Sequence, residues 1–390
     1  MDTITIGVVG AGRATELHMY GYRHAELPIR LKTIVGGHNK ERAQKAKESY
    51  GFEQLSFDYN DLLNDPEIDV IDICTPPYVH KNMIVDALHA GKHVICEKPL
   101  TGYFGEEGDA TPIGDKVSRR KMYNSLIQNL EDIGQAIETS GKKFMYAENF
   151  IYAPAIIKAG EIIAAKKSKI LYMKGEESLK GSSSKVAGEW SKTGGGIFIR
   201  NGVHPLGAIL WLKEQEAKAR GCEIGIQSVV GDMGYAVKTL SDYEHRHIAA
   251  QPHDVEDSGT AVITFTDGTK ALIISTDNLL GGSKNYVELY CNDNAINCKL
   301  TMNDAMETYL LDEDGMEDVY LSEMLPTKIG WNKPFVADEM LRGYLNEMQD
   351  FLEVIYYDRE PISGFKVAAD IIKVIYGAYL SAELGERVDF

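Results

Sequence analysis

The residues best placed to do chemistry close the run His93-Val94-Ile95-Cys96-Glu97-Lys98-Pro99. A β-branched apolar run that ends abruptly in a carboxylate, an ammonium and a proline reads as a buried parallel strand. Its charge lies at the carboxyl tip, and the proline fixes the exit. Ligands of open α/β sheets sit outside such tips, so Glu97 and Lys98 stand where a ligand would be met. A plain surface ion pair at a strand end is the other reading, and the chain before it decides between them. Gly10-Ala11-Gly12-Arg13-Ala14-Thr15 follows the β-branched run Ile4–Val9 and opens a helix. Strand, glycine-rich turn and helix form a context that binds pyrophosphate. Gly10 permits the tight turn, and Gly12, with no Cβ, lets phosphate oxygens approach the amides of the helix N-terminus. Thr15 holds the third glycine position, so the fingerprint is incomplete.

Those tips need strands and helices in alternation behind them. Leu31–Val35 reads as a second strand feeding a helix over Lys40–Tyr50. Asp69–Cys74 is a third strand, broken at its tip by Thr75-Pro76-Pro77. Tyr78–Ala90 reads as a helix that Gly91 stops, and Lys142–Ala147 as a last strand. This spacing predicts a doubly wound parallel sheet, a Rossmann-type domain over residues 1–150. An acid about 20 residues past the glycine loop binds ribose hydroxyls and selects NAD. Here Gly37 stands at that place, followed by His38, Asn39 and Lys40. Nothing there repels a 2′-phosphate, so NAD and NADP both stay open.

Gly10-Ala11-Gly12 with His18, Cys74-Thr75-Pro76-Pro77 with His80, and Glu97-Lys98-Pro99 fall in order at the ends of successive strands. Together they resemble the glucose-fructose oxidoreductase / inositol dehydrogenase / MocA family of NAD(P)-dependent oxidoreductases, and the resemblance extends over essentially the whole chain. It implies dinucleotide contacts from Gly10, Gly12, Arg13, Ala14, His38 and Asn39, and from Thr75, Pro76, Pro77, His80, Glu97 and Lys98. Lys98 would touch the nicotinamide ribose and the reacting oxygen, favouring a developing alkoxide through its charge. One departure is the polar, glycine-rich stretch from Thr101 to Lys116, longer than the family's usual connection. Its place beside the site fits a lid, a subunit contact or a flexible insertion.

The family pattern in the second half is a glycine pair, an acid, and a histidine four residues beyond it. In Gly194-Gly195-Gly196-Ile197-Phe198-Ile199-Arg200-Asn201-Gly202-Val203-His204, the histidine is His204. A hydride leaves a carbinol carbon only as its hydroxyl proton departs, so a base is needed, and histidine suits neutral pH. The acid's position holds Arg200, which is permanently cationic and donates only. Arg200 binds an anionic or oxygen-rich substrate, or pairs structurally with Glu148 or Glu176, or marks a chain that has lost catalysis. Glu148, Tyr152, Arg200 and Asn201 are the candidate substrate contacts.

Past residue 150 the pattern changes. A helix is expected over Ala155–Lys166, then strands over Lys169–Glu176, Glu223–Met233, Gly259–Thr266, Lys270–Thr276 and Tyr286–Cys291. Turns at Thr266–Thr269 and Asn292–Asn294 join several of them into a largely antiparallel sheet, an α+β domain over residues 151–390. Two helices, Pro334–Tyr357 and Gly364–Leu384, would then pack back between the domains.

The chain has 390 residues, 41 Lys+Arg against 58 Asp+Glu, and a net charge of -17. An acidic surface argues against nucleic acid or anionic membrane as a partner. No apolar run approaches the ~20 residues of a membrane span, and no signal peptide is read at the start. Five scattered cysteines without CxxC spacing fit a reduced, cytoplasmic protein without zinc or another metal. A half-covered sheet suggests a homodimer or homotetramer. The expected activity is reversible oxidation of a secondary hydroxyl of a sugar, sugar acid or polyol. Two rivals are an enzyme that recycles bound NAD to cleave a glycosidic bond, and a non-catalytic dinucleotide-binding sensor.

Overall fold

The computed structural model describes residues 3–301, 308–314, 327–332 and 339–390. The β-branched runs of the first third form β1 (Ile4–Val9), β2 (Ile29–Val35), β3 (Gln54–Ser56), β4 (Val70–Ile73), β5 (His93–Glu97) and β6 (Phe144–Ala147). They pair in the order β3-β2-β1-β4-β5-β6, and every pairing is parallel. Helices α1 (Arg13–Arg23), α2 (Lys40–Tyr50), α3 (His80–His89) and α4 (Arg119–Ser140) lie in the connections between these strands. Local chemistry sets their ends. The Asn39 side chain accepts the Arg42 amide at 2.9 Å to start α2, and Gly51 closes it in the left-handed region. Strand order reverses between β1 and β4, so a crevice opens above Gly10 on one side and Thr75 on the other.

The second sheet contains β7 (Ile170–Ser178), β8 (Ile226–Gly234), β9 (Ser258–Phe265), β10 (Lys270–Thr276), β11 (Lys284–Cys291) and β12 (Ala295–Lys299). Its order is β12-β11-β7-β10-β9-β8, with the short strand Val388–Asp389 at the edge. Only β7 and β10 pair in parallel; the other pairs are antiparallel. Strand period two sends Met173, Gly175 and Glu177 to the buried face, against α6 (Val203–Arg220). Gly175 allows the close approach, since a Cβ there would lie 2.7 Å from the Pro205 side chain.

Helices α5 (Pro154–Lys166), α7 (Tyr344–Tyr356) and α8 (Phe365–Leu384) complete the core. The last two return to the first sheet's layer: α7 packs on α1, while α8 packs on α4, α6 and β8. The expected helix over Pro334–Tyr357 begins later. Residues 334–338 lie outside the described residues, 339–343 form turns, and Gly343 at φ 99° starts the helix at Tyr344. No described helix is long and apolar enough to cross a membrane.

The long stretch after Leu100 is neither a free lid nor a loose insertion. Its Gly114 amide donates to Asp254 at 2.9 Å, and its Tyr103 carbonyl accepts the Trp190 indole N–H at 3.1 Å. Tyr376 accepts the Tyr103 amide at 2.6 Å, and Arg119 stacks on Trp190 at 3.9 Å. The segment is a strap that fastens the first half to the second.

Candidate active site

The turn after β1 leaves room and donors for a dinucleotide. Gly10 sits at φ 111°, and a Cβ there would lie 2.5 Å from the Cys74 carbonyl oxygen, so only glycine fits. Gly12 caps α1 with no side-chain bond to the helix amides, and a Cβ there would meet nothing within 4 Å. Free amides facing open space suit a pyrophosphate, so the residues present fit NAD or NADP. Thr15 replaces the third glycine with a stitch: its hydroxyl donates to the Gly10 carbonyl at 3.0 Å. A cavity of about 200 Å³ opens beside Gly12, lined also by Glu16, Arg42, Lys45, Ser49 and Tyr50.

The other expected cofactor residues divide by placement. Exposed Arg13 pairs with Glu16 at 2.9 Å, and Ala14 packs against the core. His38 is exposed at the tip of β2, whereas Asn39 spends its side chain on the α2 cap. Pro76 is exposed and Thr75 and Pro77 half-buried at the tip of β4. His80 is fully buried, with ring nitrogens 2.8 Å from the Thr75 carbonyl and 2.9 Å from the Pro99 carbonyl. Burial holds its pKa below the ordinary histidine value although both carbonyls pull the other way. Its geometry clamps the tip of β4 to the tip of β5.

Under Lys98 lies a buried ionic chain. The fully buried His18 of α1 approaches Asp72 of β4 through Nδ1 at 2.9 Å and Glu97 of β5 through Nε2 at 3.2 Å. Tyr22 donates to the same Asp72 carboxylate at 2.9 Å. Burial alone would lower the His18 pKa; the charge and hydrogen bond of Asp72 outweigh it and hold it well above the ordinary value. Burial alone would raise Glu97; His18, Lys98 and His204 outweigh it and hold the carboxyl below its ordinary value. Glu97 also accepts the Lys98 backbone amide at 2.9 Å, which sets the strand tip. His18, Asp72 and Cys74 have the composition of a metal site. Their ionisation opposes that use, with His18 cationic and the Cys74 thiol pushed up to about 12, chiefly by burial.

Above that chain the two halves of the molecule meet. Lys98 Nζ donates to the Arg200 backbone carbonyl at 2.7 Å. His204, on the first turn of α6, stacks on Phe150 with ring centroids 4.9 Å apart. Its Nδ1 lies 2.7 Å from Oε1 of the fully buried Glu148. With Nδ1–H donating to that carboxylate, Nε2 is left as the acceptor. Arg200 pairs with neither Glu148 nor Glu176. Its guanidinium meets Asp277 beyond β10, whose carboxyl burial raises above the ordinary value despite that cation. Glu176 instead pairs with Lys284 at 2.8 Å.

Asn201 donates to Glu177 Oε1 at 3.1 Å. Tyr152 is a correction. Its hydroxyl donates to Asp350 at 2.7 Å and accepts the Ser363 amide at 2.9 Å, and its ring packs edge-on against Phe351. Its polar atom is committed to the C-terminal helices and does not join the Lys98–His204 group.

Three residues of the site were absent from the expectations. Glu177 brings a carboxylate oxygen within 3.9 Å of His204 Nε2. The fully buried Glu256 accepts the amides of Gly196 at 2.8 Å and Phe198 at 3.0 Å, holding the glycine turn before Arg200. Among the described residues, fully buried Glu347 of α7 has no hydrogen-bond partner for either oxygen. Burial, reinforced by Glu97, Glu148 and Asp72 against His18, keeps its carboxyl well above the ordinary value. Size does not mark the site. A larger cavity of about 780 Å³, lined by residues such as Lys81, Asp132 and Thr139, lies between α3 and α4 and contains none of the expected residues.

Residues 4–110 match the model of an oxidoreductase family with an NAD-binding Rossmann fold, and residues 155–297 match the C-terminal domain of the same family. Levoglucosan dehydrogenase of Pseudarthrobacter phenanthrenivorans is 34% identical over 118 residues, 28% of this chain and 30% of that one. The NAD-dependent scyllo-inositol 2-dehydrogenase of Bacillus subtilis is 30% identical over 208 residues, 52% of this chain and 51% of that one. The chain thus matches about a third to a half of the length of these curated relatives. The crystal structure of GenD2 from gentamicin A biosynthesis, in complex with NAD, shares the fold with a TM-score of 0.78. It is 18% identical, and the match covers 100% of this chain and 97% of that one. With one family matched over residues 4–110 and 155–297, the chain belongs to the GFO/IDH/MocA oxidoreductase family.

Proposed function

We propose that the protein reversibly oxidises a secondary hydroxyl of a sugar, sugar acid or polyol to the ketone. The observation that carries this reading is the Glu148–His204 pair at 2.7 Å, set beside a Lys98 ammonium that is fastened to the neighbouring Arg200 carbonyl. When bound, NAD or NADP supplies the hydride acceptor. His204 takes the hydroxyl proton at Nε2, while Glu148 holds the ring by Nδ1 and steadies the imidazolium that forms. Lys98 spends one N–H on Arg200 and has two left to hold the oxygen as it becomes an alkoxide. In the other direction His204 returns the proton to that oxygen.

In this reading residues 1–150 carry the dinucleotide and residues 151–390 shape the substrate side, although Lys98 and Glu148 reach in from the first. Exposed Gly37, with open space around it, supports use of either NAD or NADP. The outward face of the second sheet carries Tyr172, Leu272, Ile274 and Tyr286, all half-exposed, and the exposed Tyr290. That face supports a homodimer or homotetramer. Free cysteines support a cytoplasmic setting.

The test is a panel of sugars, uronates and polyols with NAD and with NADP, followed through reduced-nicotinamide absorbance. Turnover that needs added dinucleotide supports the dehydrogenase. Glycoside cleavage without added dinucleotide supports cofactor recycling, and binding without any turnover supports a sensor.

A further inference from the structure

Among the described residues, several buried carboxyl and amide oxygens close to His204 have no hydrogen-bond partner. Glu177 lies near the end of β7 and is 8% exposed. Its Oε1 accepts from Asn201, whereas Oε2 is buried and has no hydrogen-bond partner among the described residues. That free oxygen lies 3.9 Å from His204 Nε2, too far for a direct hydrogen bond. Two neighbours repeat the pattern. Glu148 Oε2 is buried without a partner, and so is Oδ1 of Asn285, the cross-strand neighbour of Glu177 in β11. A buried carboxylate oxygen left unpaired is costly, so the group is built for something that brings donors.

We infer that Glu177 is a substrate-binding residue that selects neutral vicinal diols. The inference rests on the dehydrogenase reading above. With the reacting hydroxyl donating to His204 Nε2, the hydroxyl on the adjacent carbon donates to Glu177 Oε2. A gauche vicinal diol holds its two oxygens at about hydrogen-bond distance, so its two O–H groups splay onto two acceptors 3.9 Å apart. Asn201 fixes the carboxylate from its other oxygen. The same charge repels an anionic substrate at this point, and Arg200 does not offset it because its guanidinium is engaged by Asp277. The site thus carries a second carboxylate, on the Nε2 side of His204, although position 200 lacks one, and it comes from β7 instead of the short helix Ile197–Arg200.

The experiment compares kcat/KM of the NAD-loaded parent, Glu177→Gln and Glu177→Ala on three probes. These are the parent's best neutral sugar or polyol, that compound lacking the hydroxyl beside the oxidised carbon, and the corresponding uronate. A site built to pair a substrate hydroxyl rejects the analogue without it by at least ~10²-fold. Glu177→Gln should shrink that ratio about tenfold and Glu177→Ala should bring it near one, while the uronate gains on the neutral sugar in both. Dinucleotide affinity and thermal midpoint report that the variants are folded. Ratios within threefold of the parent's in both folded variants would overturn the assignment and leave the dehydrogenase reading standing. A parent that oxidises no member of the panel would overturn that reading, and this one with it.

Discussion

Lys98 Nζ and the Arg200 carbonyl oxygen are 2.7 Å apart, a bond that joins the tip of β5 to the glycine turn of the second half. Position 200 therefore works through its backbone as well as its side chain. That bond fixes the ammonium against the segment that leads into His204 before any substrate arrives. Lys98→Met keeps an unbranched four-atom stem and removes the terminal ammonium with its charge and N–H groups. It should fold and bind dinucleotide, while turnover falls by on the order of 10²–10³. Turnover within threefold of the parent would remove Lys98 from the mechanism.

Glu148 sits behind His204 and touches no reacting atom in this account. Glu148→Gln can present either an acceptor or a donor to Nδ1, so the ring is no longer held as the base at Nε2. A kcat lower by on the order of 10²–10⁴, with KM little changed, is expected. Equal kcat in the two proteins would show that the pair at 2.7 Å only packs.

Cofactor choice turns on the tip of β2. Gly37 has open space where a side chain would go, so Gly37→Asp adds a carboxylate without a clash. It should shift preference toward NAD by repelling a 2′-phosphate. Dissociation constants for NADH and NADPH in parent and variant measure this, and an unchanged ratio would place Gly37 away from the ribose.

The buried ionic chain predicts a pH-dependent stability. His18 has a folded pKa well above its unfolded value, so its ionic contribution is complete below the unfolded pKa and fades as pH rises through the folded one. Glu97 lies on the opposite side, contributing above its unfolded pKa and losing that contribution on acidification. Removing one partner of a buried pair costs on the order of 3–5 kcal/mol. The thermal midpoint of His18→Gln should therefore fall furthest below the parent's between the ordinary glutamate and histidine pKa values, and close on it as pH rises through the raised His18 pKa. A difference that widens toward alkaline pH would contradict the assignment of charge to His18.

The parallel sheet was legible because β-branched runs alternate with capped helices, and the glycine turn and Glu97-Lys98-Pro99 stand where strand ends must bind ligands. His204 was legible through its glycine-rich lead and its spacing from position 200. What escaped were pairings between residues far apart in the chain. Arg200 meets Asp277 and not Glu148 or Glu176, and no local spacing encodes that choice. Glu177 did leave a signal. Met173, Gly175 and Glu177 share the buried face of β7, so a carboxylate enters an otherwise apolar register. Tyr152 was misplaced for the converse reason. It lies four residues from Glu148 in the sequence, but the turn sends its ring toward Asp350 and Phe351.

The most direct measurement of the central claim follows the hydrogen itself. Polyols and sugars deuterated on carbon, myo-inositol among them, are incubated with the parent and oxidised dinucleotide, and the dinucleotide is then weighed by mass spectrometry. Deuterium should appear in the reduced nicotinamide with the parent, and its transfer should fall by at least ~10² in Lys98→Met and in His204→Gln. No transfer from any deuterated compound by the parent, or transfer at the parent's rate by both variants, would contradict hydride removal at Lys98 and His204.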